Sequence, residues 1–237
     1  MNEKISQEPE YESSFSAQSL LVIFWAMAIG MLLAITFLPT WLPNLTASLI
    51  GSDPKAFWYL ARGTAFVSMS LLWVSMALGL SMTNKMARLW PGAPTAFAIH
   101  EFVSLLGIAF AMFHGLILLG DHFINFTFAQ VVIPFATTGF KPLWVGLGQI
   151  GFYVWVLVAS SFYIRSSIGQ KTWRAIHFAS FLTYVAALAH GLMSGTDTSA
   201  IWAQWYYWIS GSSLLFLLMY RVIASLSPAR PVQRLAE

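Results

Sequence analysis

Hydrophobic residues occur in six long runs along the chain, and short polar segments separate the runs. Each run has about the 20 apolar residues that an α-helix needs to cross a bilayer. The pattern therefore predicts an all-α membrane protein that folds as a six-transmembrane-helix bundle. The predicted spans are Leu20–Leu38, about Ala56–Met82, Ala96–Gly120, Leu143–Ile164, Trp173–Ser194 and about Trp202–Ile223.

The segments outside the runs predict the domain organisation. Residues 1–18 are polar and acidic and are expected to form a disordered cytoplasmic tail, while residues 227–237 form a basic cytoplasmic tail. The acidic start does not resemble the basic region of a cleaved signal peptide, so we expect the first span to be retained. Residues 19–226 then form one membrane domain. Within it, Phe123–Phe135 is apolar but too short to cross, and is predicted to lie along the interface.

Composition agrees with a membrane protein. Hydrophobic residues make up 58% of the 237 residues and charged residues 9%, whereas a soluble domain has about 25% charged residues. The predicted partner is the lipid bilayer, and a net charge of only +3 gives no reason to expect nucleic acid. The chain has no cysteine, which excludes disulfides, zinc–thiolate sites, iron–sulfur clusters and thiolate-ligated haem.

Positive side chains are distributed unevenly between the two sides that six spans create. Nine lysines and arginines fall on the side of the termini and three on the opposite side. Cytoplasmic loops carry the excess of Lys and Arg, so both termini are predicted to be cytoplasmic, in a bacterial inner (plasma) membrane. The residues are Lys4, Lys85, Arg88, Arg165, Lys171, Arg174, Arg221, Arg230 and Arg234 on one side, and Lys55, Arg62 and Lys141 on the other.

Two of the runs each contain a pair of histidines, which together are four of the five histidines in the chain. His100 and His114 are fourteen residues apart in the third span, and His177 and His190 are thirteen apart in the fifth. An ionisable side chain inside a span is costly and therefore a functional candidate. Both spans are odd-numbered and run parallel, so His100 is level with His177 and His114 with His190. A helix rises about 21 Å from His100 to His114 and about 19.5 Å from His177 to His190, so the two levels lie at matching heights.

Two neutral imidazoles that face each other across a bundle suit one iron as axial ligands, and haem fills the slot between two helices. The two levels therefore predict haem sites between helices three and five, with one haem near each membrane face and the four histidines as iron ligands. Structural histidines, a proton path and a non-haem metal site are the alternatives.

The azimuths of the two pairs differ on ideal helices. His100 and His114 are about 40° apart and share a face, whereas His177 and His190 are about 140° apart. A kink, a bulge or a rotated second haem must absorb this difference. Gly107 lies seven residues from both His100 and His114, on roughly the same face, and is predicted to leave room for flat macrocycles.

The four histidines and the turn from Gly169 to His177 resemble the ferric reductase-like transmembrane domain family. The turn reads Gly-Gln-Lys-Thr-Trp-Arg-Ala-Ile-His and is similar to the Gly…Trp-Arg-x-x-His motif that precedes the fifth span of that family. The superfamily includes NADPH oxidases, ferric reductases and the bacterial haem subunit of a periplasmic methionine sulfoxide reductase. The resemblance covers roughly residues 56–225. It implies two b-type haems and electron transfer across the membrane.

Two arginines are candidate cofactor-binding residues. Arg174 lies three residues before His177, and its guanidinium suits an anionic haem propionate; an ordinary positive-inside anchor is the alternative. Arg62 resembles an arginine that NADPH oxidases place close to the outer haem, with a snorkelling anchor as the alternative. Leu118 stands where those oxidases carry a further histidine, and this departure weakens a prediction of superoxide production.

Three other features receive no functional assignment from the sequence. Glu101, next to His100, could bond to a neighbour, line a proton route or reach the headgroups, and His122 is expected at the surface of an outer loop. Gly146–Gly151 spells GxGxxG, but a dinucleotide site needs a strand before it. We therefore interpret these glycines as helix-packing residues.

The predicted function is a membrane cytochrome b, an oxidoreductase subunit without its own flavin or nicotinamide domain. Electrons are expected from a separate cytoplasmic flavoprotein, with flavin on that partner, or from quinol. They would pass to an external acceptor, either ferric iron or a periplasmic redox partner. The alternative is a non-redox haem-binding or transport protein that uses the histidines to move haem or protons.

Overall fold

The computed structural model describes residues 16–41, 56–84, 92–121 and 123–226, and this part of the chain is helical without any strand. Most of the two predicted tails and His122 lie outside the described residues. The helices are α1 (Ala17–Trp41), α2 (Ala56–Thr83), α3 (Ala93–Ile117, extended by a 3₁₀ turn to Gly120), α4 (Phe128–Val132), α5 (Pro142–Tyr163), α6 (Arg165–Ile168), α7 (Gln170–His177), α8 (Ser180–Ser194) and α9 (Ile201–Leu226).

Five helical segments are long and apolar enough to cross a membrane, which confirms a multi-pass membrane fold for the described residues. The apolar stretch Gln18–Ala34 of α1 is shorter than these five, so six crossings stay a prediction. The five segments are α2, α3 with its 3₁₀ turn, α5, α7 together with α8, and α9.

Helix α1 begins earlier than the predicted tail boundary. The Ser16 hydroxyl accepts a hydrogen bond from the Ser19 backbone N–H at 3.1 Å, and this cap supplies one of the partners that the first turn lacks. Helix α3 also begins earlier than predicted, at Ala93. Pro94 lies in its first turn, where a missing N–H costs no intrahelical bond.

The bundle core joins α2, α3, α5, α8 and α9. Its centre contains Leu72, Ile108, Trp155, Tyr184 and Leu214, all buried. The most extensive packing is between α2 and α3 and between α5 and α8. Large apolar side chains remain exposed on the outside. On helices long enough to cross, such a surface faces hydrocarbon.

The fifth predicted span is broken immediately after its first histidine. Helix α7 ends at His177 and α8 begins at Ser180, and across the break the N–H groups of Ala179 and Phe181 bond to carbonyls three residues back. Such a tight turn advances the chain by about 120° per residue instead of 100°. The break therefore absorbs part of the azimuthal difference between His177 and His190.

The connection between α3 and α5 enters the bundle beside α5. The Gln149 amide nitrogen donates to the carbonyls of Gln130 and Val131, each at 2.7 Å, and the Tyr153 hydroxyl donates to the carbonyl of Val132. Tyr153 lies about 16 Å along the helix from Pro142. Helix α4 is therefore held against the side of α5, where these side chains satisfy carbonyls that a short helix leaves unpaired.

Candidate cofactor site between the paired histidines

The structure brings the four histidines together in the predicted pairs. The ring centroids of His100 and His177 are 6.3 Å apart, with an angle of 64° between the ring planes. The centroids of His114 and His190 are 6.2 Å apart at 73°. We call His100 and His177 the first pair, and His114 and His190 the second pair. The pairing predicted from parallel spans is confirmed.

Three of the four imidazoles are fixed by backbone carbonyls. Nδ1 of His100 lies 2.9 Å from the Ser75 carbonyl oxygen, Nδ1 of His114 lies 2.7 Å from that of Ala61, and Nδ1 of His190 lies 2.8 Å from that of Trp144. A carbonyl only accepts, so each Nδ1 carries the hydrogen and donates. In the neutral imidazole, each Nε2 is then the unprotonated nitrogen, which is the state that a metal ligand requires.

The spacing of each pair fits one metal ion between the two rings. A bond from a metal to an imidazole nitrogen is about 2.0–2.1 Å long, and the ring centre lies about 1.1 Å behind that nitrogen, so two imidazoles on opposite sides of one ion have centroids about 6.2–6.4 Å apart. The measured values are 6.3 and 6.2 Å. Both pairs therefore have the ring separation that a single bound metal ion requires.

The donor set favours a haem over a bare metal ion. Among the described residues, no group of three or more His, Asp or Glu side chains could hold a metal. Each pair therefore offers two protein ligands, fewer than non-haem metal sites normally use. A porphyrin supplies the equatorial nitrogens itself and needs only two axial ligands.

A glycine lets the α5 backbone approach one of the histidines. A Cβ added to Gly148 would lie 2.6 Å from both Cγ and Nδ1 of His190, whereas a Cβ on Gly79 would make only an ordinary contact with Cε1 of His100, at 3.5 Å. The other glycines of the GxGxxG sequence pack against Phe135 and Ala186. The helix-packing interpretation of this sequence is confirmed, but sequence reasoning missed that Gly148 shapes the second pair.

Gly107 contacts an indole. A Cβ at this position would lie 2.5 Å from the Trp155 ring and 3.2 Å from the Leu71 Cβ. Trp155 is buried, and Gly107 lies halfway along the chain between His100 and His114. The glycine thus admits a large aromatic ring between the two levels. Its contact with a macrocycle stays a prediction.

Arg62 forms an ion pair at the end of the bundle that carries the second pair. Its Nε donates to one carboxylate oxygen of Asp197 at 2.7 Å, and Nη2 donates to the other. This bidentate pair ties the start of α2 to the loop between α8 and α9. Arg62 directly follows Ala61, whose carbonyl holds His114. The ion pair therefore lies next to the backbone that holds His114, and the contact of Arg62 with a cofactor stays a prediction.

The residues around the first pair include a buried carboxyl group. Glu101 is 8% exposed and accepts a hydrogen bond of 2.8 Å from the Tyr163 hydroxyl. Of the three roles that the sequence left open for Glu101, the structure shows the bond to a neighbour. Arg174 lies on α7 with its side chain exposed. The contact of Arg174 with a haem propionate stays a prediction.

No protein-family model, curated protein or solved structure matches this chain.

Proposed function

We propose that this protein is a membrane cytochrome b of the ferric reductase-like type, with two b-type haems held between α3 and the α7–α8 segment. The observation that carries the proposal is the repeated spacing of two opposed imidazole pairs, at 6.3 and 6.2 Å between centroids. Carbonyl bonds that leave Nε2 free for a metal support the same assignment.

In this proposal the first pair serves an inner haem and the second pair an outer haem, in a six-helix bundle with both termini in the cytoplasm of a bacterial inner membrane. The levels are about 20 Å apart along the helices, so they span most of a hydrocarbon core about 30 Å thick. Two b-type haems at these levels would carry single electrons from one face of the membrane to the other.

The chain's own residues prepare the sites for this role. The carbonyls of Ser75, Ala61 and Trp144 orient three imidazoles and increase their basicity as ligands. The buried side chains around Leu72, Ile108 and Trp155 exclude water from the space between the levels. The proposed donor is a cytoplasmic flavoprotein or quinol, and the proposed acceptor is ferric iron or an external redox protein.

Haem stoichiometry and redox spectra test the proposal. Purified protein should contain two protohaems per chain by a pyridine haemochrome assay, and reduced-minus-oxidised spectra should show low-spin b-type bands. A protein without haem contradicts the proposal. A different result would favour haem transport instead. In that case dithionite reduces the haem, but the haem exchanges readily with apomyoglobin and the protein transfers no electrons across a vesicle membrane.

Single histidine variants provide the internal control. His100→Ala and His177→Ala should each alter the same haem, and His114→Ala and His190→Ala the other, because each variant removes one axial ligand from one site. Loss of the first haem should block reduction of both centres by a cytoplasmic donor, whereas loss of the second should leave the first reducible. Matching spectra for His100→Ala and His190→Ala would refute the assignment of haems to pairs.

A further inference from the structure

The indole N–H of Trp173 is a buried donor without a hydrogen-bond partner. Nε1 is inaccessible to solvent, and no acceptor among the described residues lies within bonding distance of it. An unpaired buried donor costs roughly 1–3 kcal/mol. Tryptophans of an interfacial belt direct this N–H to headgroups or water, but an atom enclosed by protein reaches neither. A molecule bound inside the protein is one source that would supply the missing acceptor.

The position of Trp173 identifies the site that this acceptor occupies. Trp173 lies one helical turn before His177 on α7, and residues four apart share a helix face. The two rings are in contact, with centroids 5.3 Å apart and planes at 34°. The Phe162 ring also contacts the indole, with centroids 6.1 Å apart. Trp173 therefore lies directly beside the first pair.

The chemistry of the acceptor follows from the group that the first pair would hold. Hydrogen-bond acceptors on the periphery of protohaem are its two propionate carboxylates, both on one edge of the ring. The segment from Arg165 to His177 contains three positive side chains and no Asp or Glu, so it favours an anion. An N–H donor to a carboxylate forms one of the stronger hydrogen bonds in proteins.

We propose that Trp173 is a positioning residue whose indole N–H donates to a propionate of the haem at the first pair, while its ring holds the imidazole of His177 in place. This inference rests on the proposed function and extends it, because it assigns the anchor and orientation of the inner haem to a residue that is not an iron ligand.

Trp173→Phe tests the proposal, because phenylalanine keeps an aromatic ring against His177 and removes the donor. The solubilised holoprotein is mixed with excess apomyoglobin, and transfer of haem from each site is followed by absorbance. Loss of a bond to a charged group should accelerate release from the first site by about tenfold or more and leave the second site unchanged. Redox-induced infrared difference spectra should show a shifted propionate carboxylate band. Trp205→Phe, at an exposed position of α9, is the matched control.

A second variant separates loss of the donor from loss of the indole's shape. Benzothienylalanine at position 173 has the size of tryptophan with sulfur in place of the N–H. The proposal predicts faster release and a shifted carboxylate band for this variant. Wild-type release and an unchanged band would overturn it, whatever Trp173→Phe shows. Wild-type protein without haem would instead refute the proposed function, so the two failures are distinguishable.

Discussion

Gly148→Ala is the smallest change that should remove one proposed haem and leave the other. The new Cβ would lie 2.6 Å from Cγ and Nδ1 of His190, whereas ordinary contacts begin at 3.4 Å. The imidazole must therefore move by roughly 0.8 Å, while metal–ligand bonds tolerate only about 0.2 Å. The same movement stretches the bond from Nδ1 to the Trp144 carbonyl, which is 2.8 Å long.

The stability of the helix should not decide the outcome, because alanine is favoured over glycine in a helix by about 1 kcal/mol. Gly63→Ala is the matched control, since a Cβ at that position meets nothing within 4 Å. A pyridine haemochrome assay should give one haem per chain for Gly148→Ala and two for Gly63→Ala. Two haems with wild-type spectra and potentials in Gly148→Ala would refute the assigned position of His190.

Two further predictions concern the potential of the first haem and the topology of the chain. Ser75→Ala removes a hydroxyl 3.2 Å from Nδ1 of His100 but keeps the backbone carbonyl at 2.9 Å. With one acceptor fewer on its N–H, the imidazole donates less electron density to the iron, which disfavours the ferric state. The reduction potential of the first haem should therefore rise by roughly 20 mV if about 0.5 kcal/mol is lost. A redox titration in which only the second haem shifts would contradict this reasoning. Cysteines at Ser166 and Ser199, both exposed, should react with an impermeant maleimide from the cytoplasm and from the outside respectively. Reversed labelling would overturn the proposed topology.

The sequence predicts the helices well because membrane spans are long and apolar, and a length of about 20 residues distinguishes them from other elements. The four histidines are also predictable, since they are rare polar residues inside apolar spans. Because the third and fifth spans run in the same direction, the position of each histidine along its span determines its partner. Helix ends were less predictable. The predicted third span begins at Ala96, after Pro94, whereas the helix begins at Ala93 and holds Pro94 in its first turn, where a proline is tolerated.

Residues that act through the backbone could not be predicted. Ser75, Ala61 and Trp144 hold the histidines with carbonyl oxygens, which every residue type has, so side-chain identity carries no signal for this role. The ion pair of Arg62 with Asp197 joins residues 135 positions apart, which only the packed structure reveals. Gly148 did give a signal, as part of the GxGxxG sequence, but its partner His190 was not visible without the register of α5 against α8.

The packing of α2 against α3 explains how one helix can support both histidine levels. Ser75 and Ala61 are fourteen residues apart, as are His100 and His114, and the helices run in opposite directions, so Ser75 lies opposite His100 and Ala61 opposite His114. Equal rise per residue keeps both contacts in register. This helix pair has the most extensive packing in the described structure, and α5 with α8, the next most extensive, carries the bond from His190 to Trp144. Sliding α2 along α3 by one residue would break both of its carbonyl bonds together. The orientation of these histidines therefore depends on the contacts that hold the fold itself, and no flexible loop is needed to position them.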